Sequence, residues 1–342
     1  MKPEKLKKYY VKTYTELYKL IDQRMRTASI PPPPRTRDKL AKLKNALLVK
    51  LGVTYNTVEA ELEKLIELLN TIAQMHSFYI ELFMMKTGKH PEELVKKFKI
   101  YRRIARKIYN EYRQAIKTSL TGRDTVRYFK AGIGRLLSIY RRNSAIIQLI
   151  KEAVIEISKL PDITGDLVVI IAGMPQVGKS TLIRKLTNAK PEISPFPFTT
   201  KTIIAGHINM DPYGKIVLID TPGLLDRPLE EKNPIEYKAV LALKHLSDIV
   251  LYMFDINPNS YYTIDQQLNV YSSIKKLLGD KEIIPIVNKI DITPNNLLFE
   301  RINYLEKIIG KKPLPISAEK GINLEKLRKI LIDKLMEKNQ PP

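Results

Sequence analysis

The chain has 342 residues, 44% hydrophobic and 27% charged, which is enough apolar material to bury cores and long enough for about two domains. It has no cysteine, which excludes disulfides and thiolate chemistry, and no uncharged apolar run of about 18 residues that would suggest a transmembrane helix. Of the net charge of +22, residues 1–160 carry +19 and residues 161–342 only +3, so an anionic partner is expected for the first part of the chain.

The first residues are basic but lack an apolar core and a small-residue cleavage site, so no signal peptide is expected and a cytoplasmic location is. Residues 1–160 are predicted to form an all-α helical bundle of four or five long helices with short connections. Pro31 to Pro34 predict a stiff polyproline II spacer. Further breaks are expected around Gly52, at 88–91 and at 121–122, and Asn56 followed by Glu59 reads as a capping box opening a helix through Leu69. Residues 101–142 hold twelve Lys/Arg against two acids, with Tyr101, Tyr109, Tyr112, Tyr128 and Tyr140 between them. Such a stretch can contact phosphates and stack bases, so RNA contact is expected there. Ile147, Ile150, Val154 and Ile157 step by three and four along one helical face.

A boundary near Leu160-Pro161-Asp162 separates this bundle from residues 161–342. Beyond it, the apolar runs at 167–172, 215–220, 249–254 and 283–287 predict buried strands alternating with helices. They argue an α/β domain with a mostly parallel, doubly wound sheet, although Pro285 weakens the last strand because proline lacks a ladder donor.

Residues 173–180 read GMPQVGKS and fit the phosphate-binding pattern GxxxxGK[ST], between a predicted strand and a predicted helix. Gly173 and Gly178 let backbone N–H groups wrap phosphate oxygens, with Pro175, Gln176, Val177 and Thr181 completing the cradle. Lys179 is expected to reach the β- and γ-phosphates and Ser180 to ligate Mg2+. Asp220 in Asp220-Thr221-Pro222-Gly223 ends a later strand and is placed to hold Mg2+, while the Gly223 N–H is expected on the γ-phosphate. A threonine of the 195–201 stretch, Thr200 rather than Thr199, is expected to close over the γ-phosphate and complete the Mg2+ shell. Lys179, Thr200 and Gly223 are thus the candidate catalytic groups, and Ser180, Thr200 and Asp220 the candidate metal set.

In Asn288-Lys289-Ile290-Asp291 the Asp291 carboxylate can accept from guanine N1–H and its 2-amino group, a donor pair that adenine lacks. Lys289 is expected to cover the base with its stem, and Ser317-Ala318-Glu319 to offer the Ala318 N–H to guanine O6. The predicted ligands are therefore GTP and GDP with Mg2+. Leu224 stands where many such enzymes carry a water-orienting glutamine, so intrinsic hydrolysis to GDP and phosphate is expected to be slow without an activator.

In this order, GMPQVGKS, FTTK, DTPG, NKID and SAEKG resemble the P-loop GTPases of the Obg-like, translation-factor-related branch. The stretches PFTTKTIIAGHI and DTPGLLDRPLEEKNPIEYKAVLALKHL are similar to the nucleolar GTP-binding protein group, as are HSFY at 76–79 and YRRNS at 140–144. The resemblance implies a helical domain before a GTPase domain, the short archaeal type of chain, and work on the precursor of the large ribosomal subunit through rRNA contacts of the helical part. It also implies a protein that is monomeric off the ribosome and does not bind membranes. The family has Asn where Gln176 stands, and in related GTPases that Asn helps hold a potassium ion. Gln176 carries its oxygen one methylene further out, so the resemblance does not by itself transfer a potassium site. Two other readings fit the sequence: a nucleotide-dependent placeholder on the ribosome with negligible hydrolysis, and a GTPase acting on another RNA.

Overall fold

The computed structural model describes residues 3–30, 38–187 and 190–339. The segment Pro31 to Pro34, read above as a polyproline spacer, lies outside the described residues. Two compact units result, one made of Lys5–Met75 and Phe83–Ile155, the other chiefly of His76–Leu82 and Glu156–Pro342. No helix among the described residues is long and apolar enough to cross a membrane.

The helices of the first half are α1 (Tyr14–Thr27), α2 (Lys39–Ala73), α3 (Ser77–Thr87), α4 (Pro91–Thr118), α5 (Gly122–Arg142) and α6 (Ser144–Ile157). Their starts are chemically marked. Thr13 and Glu16 form a capping box on α1, Asp38 caps α2, and Thr121 caps α5. His90 caps α4 through its ring, with Pro91 in the first turn where its missing N–H costs nothing. Helices α2, α4 and α5 pack together at Gly132, where a Cβ would stand 2.9 Å from Tyr112 of α4 and 3.2 Å from Leu51 of α2.

Two sequence expectations fail in α2. Neither Gly52 nor the Asn56/Glu59 pair marks a helix end, because both lie inside one continuous helix of 35 residues. A single interior glycine costs about 1 kcal/mol of helix propensity. The buried row Leu51, Tyr55, Val58, Leu62, Leu65, Leu69 and Ile72 outweighs it by packing along the whole length.

The second unit is built on β1 (Leu167–Ala172), α7 (Lys179–Leu186), β2 (Glu192–Pro195), β3 (Thr202–Met210), β4 (Gly214–Asp220), α8 (Pro234–Leu246), β5 (Ile249–Asp255), α9 (Ile264–Leu278), β6 (Glu282–Asn288), α10 (Asn295–Ile309), β7 (Leu314–Pro315) and α11 (Leu324–Asn339). The strand order is β2-β3-β4-β1-β5-β6-β7. β1 lies between β4 and β5 and is parallel to both, which is why all six of its residues are apolar and buried. β2 and β3 are antiparallel additions at one side, so the strand and helix alternation read from the sequence breaks between β1 and β4. Pro285 sits inside β6 without harm. The short β7 pairs only with Ile286 and Val287, so at Pro285 the strand has a neighbour on the β5 side alone.

In the helical unit the Glu16 carboxylate accepts from the Tyr10 hydroxyl at 2.5 Å, the Thr13 N–H at 2.7 Å and the Lys151 ammonium at 2.9 Å. Burial opposes its charge, but the Tyr10, Thr13 and Lys151 donors outweigh burial and hold its pKa at about 2 instead of 4.5. A depressed carboxylate stabilises the fold above its unfolded value, and that contribution is lost as pH falls from about 4.5 towards about 2. Denaturation midpoints measured across that window should fall more steeply for the wild type than for Lys151→Met. Parallel curves would show that this network adds nothing.

Candidate nucleotide-binding site

In a parallel sheet, groups at the carboxyl ends of neighbouring strands converge. Register places Ile171 beside Asp220 and Asp255 beside Asn288, so the loops after β1, β4, β5 and β6 leave from one edge. This brings together the sequence-predicted phosphate loop, Asp220 and Asn288, to which the structure adds Asp255.

The loop after β1 can close only because of its glycines. Gly173 has φ +141° and Gly178 φ +105°, and a Cβ on them would stand 2.5 Å from the Met253 carbonyl and 2.3 Å from the Asn288 amide nitrogen. Gln176 also adopts a left-handed conformation, at φ 63°, with its side chain exposed. Gly178 then opens α7, whose first residues are Lys179, Ser180 and Thr181. The helix start supplies N–H groups and a positive dipole end to an anion.

Lys179 is buried and folds back over the loop, donating to the Gly173 and Met174 carbonyls at 2.9 Å each. Burial lowers its pKa, while Asp220 and Asp226 pull it back up. The Ser180 hydroxyl donates to Asp220 Oδ2 at 2.9 Å. Asp220 is only 1% exposed, burial raises its pKa against the pull of Lys179 and Ser180, and its Oδ1 has no hydrogen-bond partner among the described residues. A buried carboxylate oxygen without a donor, beside a serine hydroxyl, suits a hard cation that takes oxygen ligands. Ser180 and Asp220 would hold it, and Mg2+ there would neutralise phosphate charge.

Asn288 ties three loops together. Its amide NH2 donates to the Val177 carbonyl at 2.8 Å, and its amide oxygen accepts the Ala318 N–H at 2.9 Å. Ala318 is held further by Ser317, whose N–H donates to Ile322 and whose hydroxyl accepts from Lys320. Lys289 is left-handed at φ 64° and its ammonium lies 2.6 Å from Asp255 Oδ2. The Asp255 backbone is fixed in turn by the Gln267 side chain, and Asn257 links Asp255 to the Ile292 carbonyl. Asp291 and Glu319 are exposed at the rim. The sequence reading missed Asp255, although an acid ending an apolar strand was available as a signal, as at Asp220.

The segments that flank the phosphate loop are pinned less tightly. Phe196 is buried against Phe78 with ring centroids 6.2 Å apart, and its N–H and carbonyl close a turn with Lys201 and Thr199. The Thr199 hydroxyl is engaged inside that turn, on the Phe196 carbonyl and the Lys201 N–H, whereas Thr200 is exposed. Gly223 has φ +83°, and its N–H donates to Asp226 Oδ2 at 2.8 Å. Glu236 completes a capping box with Asn233 on α8, the N-x-x-E pattern that the sequence reading passed over, and binds Arg227 at 2.7 Å and Lys201 at 3.4 Å.

A glycine-lined phosphate cradle on a helix start, a serine and aspartate cation pair, and an asparagine-tied base loop define a P-loop guanine-nucleotide-binding domain after a helical domain. Comparison with known proteins agrees. Residues 168–289 match the family described as 50S ribosome-binding GTPase, and residues 11–164 match the NOG1 N-terminal helical domain. Nucleolar GTP-binding protein 1 of Drosophila melanogaster is 32% identical over 81% of this chain and 43% of its own. An uncharacterised protein of Methanocaldococcus jannaschii is 36% identical over 71% of this chain and 68% of its own. A Plasmodium falciparum crystal structure titled a nucleolar GTP-binding protein 1 is 29% identical, covers 53% of this chain and 92% of that one, and has a TM-score of 0.43. The chain is a GTP-binding protein of the nucleolar GTP-binding protein 1 family, and it spans less than half the length of the Drosophila relative.

Removing the Asn288 side chain strands the Val177 carbonyl and the Ala318 N–H, each costing about 1–3 kcal/mol when buried. Asn288→Ala should lower unfolding stability by about 2 kcal/mol and weaken GDP binding at least about tenfold. Urea denaturation and titration with fluorescent GDP check both. Unchanged GDP affinity would remove Asn288 from its tying role.

Proposed function

We propose that the chain is a GTP-hydrolysing switch that works on the precursor of the large ribosomal subunit and holds rRNA through α4 and α5. The observation that carries this reading is the cationic face of those two helices. Arg103, Arg106, Lys107, Arg113, Lys117, Arg123, Lys130, Arg141 and Arg142 are exposed and make no ion pair among the described residues. Only Arg102, Arg127 and Arg135 of that stretch are paired, with Glu59 and Glu63, Asp124, and Glu111. Unpaired cations along two helices repel one another, and a polyanion relieves that repulsion while releasing its counterions. The tyrosines contribute less than their spacing suggested. Tyr140 is buried, Tyr109 is stacked on Tyr55 at 4.4 Å, and Arg135 covers Tyr112, so backbone contact rather than base stacking leads the binding. The match of residues 168–289 to the 50S ribosome-binding GTPase family supports a ribosomal place of work.

In this reading Lys179 and the helix start bind phosphate, Ser180 and Asp220 would hold Mg2+, which would neutralise phosphate charge, and Thr200 would be a further ligand. Asp291 reads guanine from the rim, and the Ala318 N–H, shared with Asn288, faces O6. Leu224 is fully buried and apolar, so it cannot orient a water. The ribosomal particle or its RNA supplies that function. The same buried Leu224 favours a second reading, a placeholder that binds GTP and scarcely hydrolyses it.

Single-turnover GTP hydrolysis, measured in potassium and in sodium buffers with and without large-subunit particles, separates the two. Slow turnover alone that particles accelerate is expected, and a rate that particles leave unchanged in both buffers selects the placeholder. For RNA, the triple change Arg103→Gln, Lys107→Gln, Arg113→Gln in the full chain should flatten the slope of log affinity against log salt by about 2–3, from about 0.7–0.9 per lost phosphate contact. An unaltered slope would place the RNA elsewhere.

A further inference from the structure

The segment after β4 carries an arrangement that nucleotide binding alone does not require. The Gly223 N–H, the donor expected on the γ-phosphate, is taken by Asp226 Oδ2 at 2.8 Å. Gly223 cannot turn away easily, because its left-handed φ of +83° and the Lys201 stem packed where its Cβ would be fix the peptide. Asp226 also stands close enough to Lys179 and Asp220 to act on both electrostatically. The carboxylate therefore takes the donor that a γ-phosphate would use, and it carries the same sign of charge. One N–H cannot serve two anions, and two anions at contact distance repel.

A second position for that carboxylate exists nearby. The Lys232 ammonium nitrogen is shielded from solvent and has no hydrogen-bond partner among the described residues. A buried ammonium without an acceptor is costly, and Asp226 is the first of the acids that act on it. Arg227 and Lys201, the other cations beside it, are already committed to Glu236. Asp226 also borders a cavity of about 530 Å³ between Pro175 of the phosphate loop and Gln266 of α9, so its side chain is not packed in on every side.

We infer that Asp226 is a built-in stand-in for the γ-phosphate, which sets the preference between GTP and GDP by holding Gly223 until a third phosphate drives it across to Lys232. The inference rests on the guanine-nucleotide reading of the site and concerns only its selectivity. GDP ends short of Gly223 and leaves Asp226 in place. GTP must displace it, and the new Asp226–Lys232 pair returns part of that cost. The swing of one carboxylate thereby signals the third phosphate to the segment that carries Arg227, Glu231 and the start of α8.

The test is a pair of affinities for the full chain, one for GDP and one for a non-hydrolysable GTP analogue. Asp226→Ala should raise the analogue-to-GDP affinity ratio roughly tenfold, since a charged hydrogen bond of this kind is worth about that ratio. Asp226→Asn keeps the shape and a neutral acceptor, so it should move the ratio in the same direction by less. Lys232→Met removes the receiving partner and should lower the ratio several-fold. Opposite shifts of the ratio at Asp226 and Lys232 support the inference. An analogue-to-GDP ratio that neither Asp226 variant raises overturns it. A wild type that binds neither nucleotide fails the guanine reading itself, which is a different result.

Discussion

Much of the GTPase unit depends on one close approach, the Asn288 side chain against the peptide of Gly178. A Cβ at Gly178 would meet the Asn288 amide nitrogen at 2.3 Å, so the two positions are fitted to each other without slack. Because that amide also donates to Val177 and accepts from Ala318, the loop after β1 and the loops after β6 and β7 are one hydrogen-bonded body. Their spacing is fixed by the β1, β5 and β6 ladders beneath them. A ligand that spans phosphate and base thus meets a site whose two ends are set before it arrives, which limits the ordering cost of binding.

Around this body, the segments before β3 and after β4 are held by charge as well as by apolar packing, the latter through the buried Leu224 and Leu225. Lys201, Arg227 and Glu236 form a cluster in which Glu236 is buried. Burial opposes its charge, but the Asn233 N–H, Arg227 and Lys201 keep its pKa below the ordinary value. Such contacts exchange partners without rebuilding a core. Phe196 on Phe78 is a further apolar anchor, at the base of the 195–201 loop, and leaves Thr200 exposed to the solvent. The division between what is fixed and what can move follows the chemistry of each contact.

The parts of this arrangement that were legible in the sequence are those where one residue type is forced by geometry. Gly173, Gly178, Lys179, Ser180, Asp220 and Asn288 could be named because a phosphate cradle admits few alternatives, and the apolar runs of β1, β4, β5 and β6 marked the parallel strands. What stayed hidden was long-range pairing. Nothing local at Asp255 announces Lys289 34 residues away. The hold of Asp226 on Gly223 is local but belongs to no motif that the sequence reading used. β2 and β3 were overlooked because their pattern is half exposed and sits among prolines. In the helical unit the propensity signals at Gly52 and Asn56 pointed to an end that tertiary packing of α2 erased.

The uneven charge of the chain fits the same logic. Within the site most buried charges have an opposite neighbour, and among the described residues Asp220 Oδ1, Arg227 Nε and the Lys232 ammonium lack hydrogen-bond partners. Along residues 101–142 of α4 and α5 the charges without an ion pair among the described residues are exposed and of one sign. A buried unpaired group costs stability at every salt concentration, so it persists where a specific ligand or a moving side chain completes it. An exposed one costs little in water and gains from any polyanion, in a way that salt screens. On the proposed reading the site would select one small ligand by completing particular atoms, and the helical face would fix a place on a large one by summed charge.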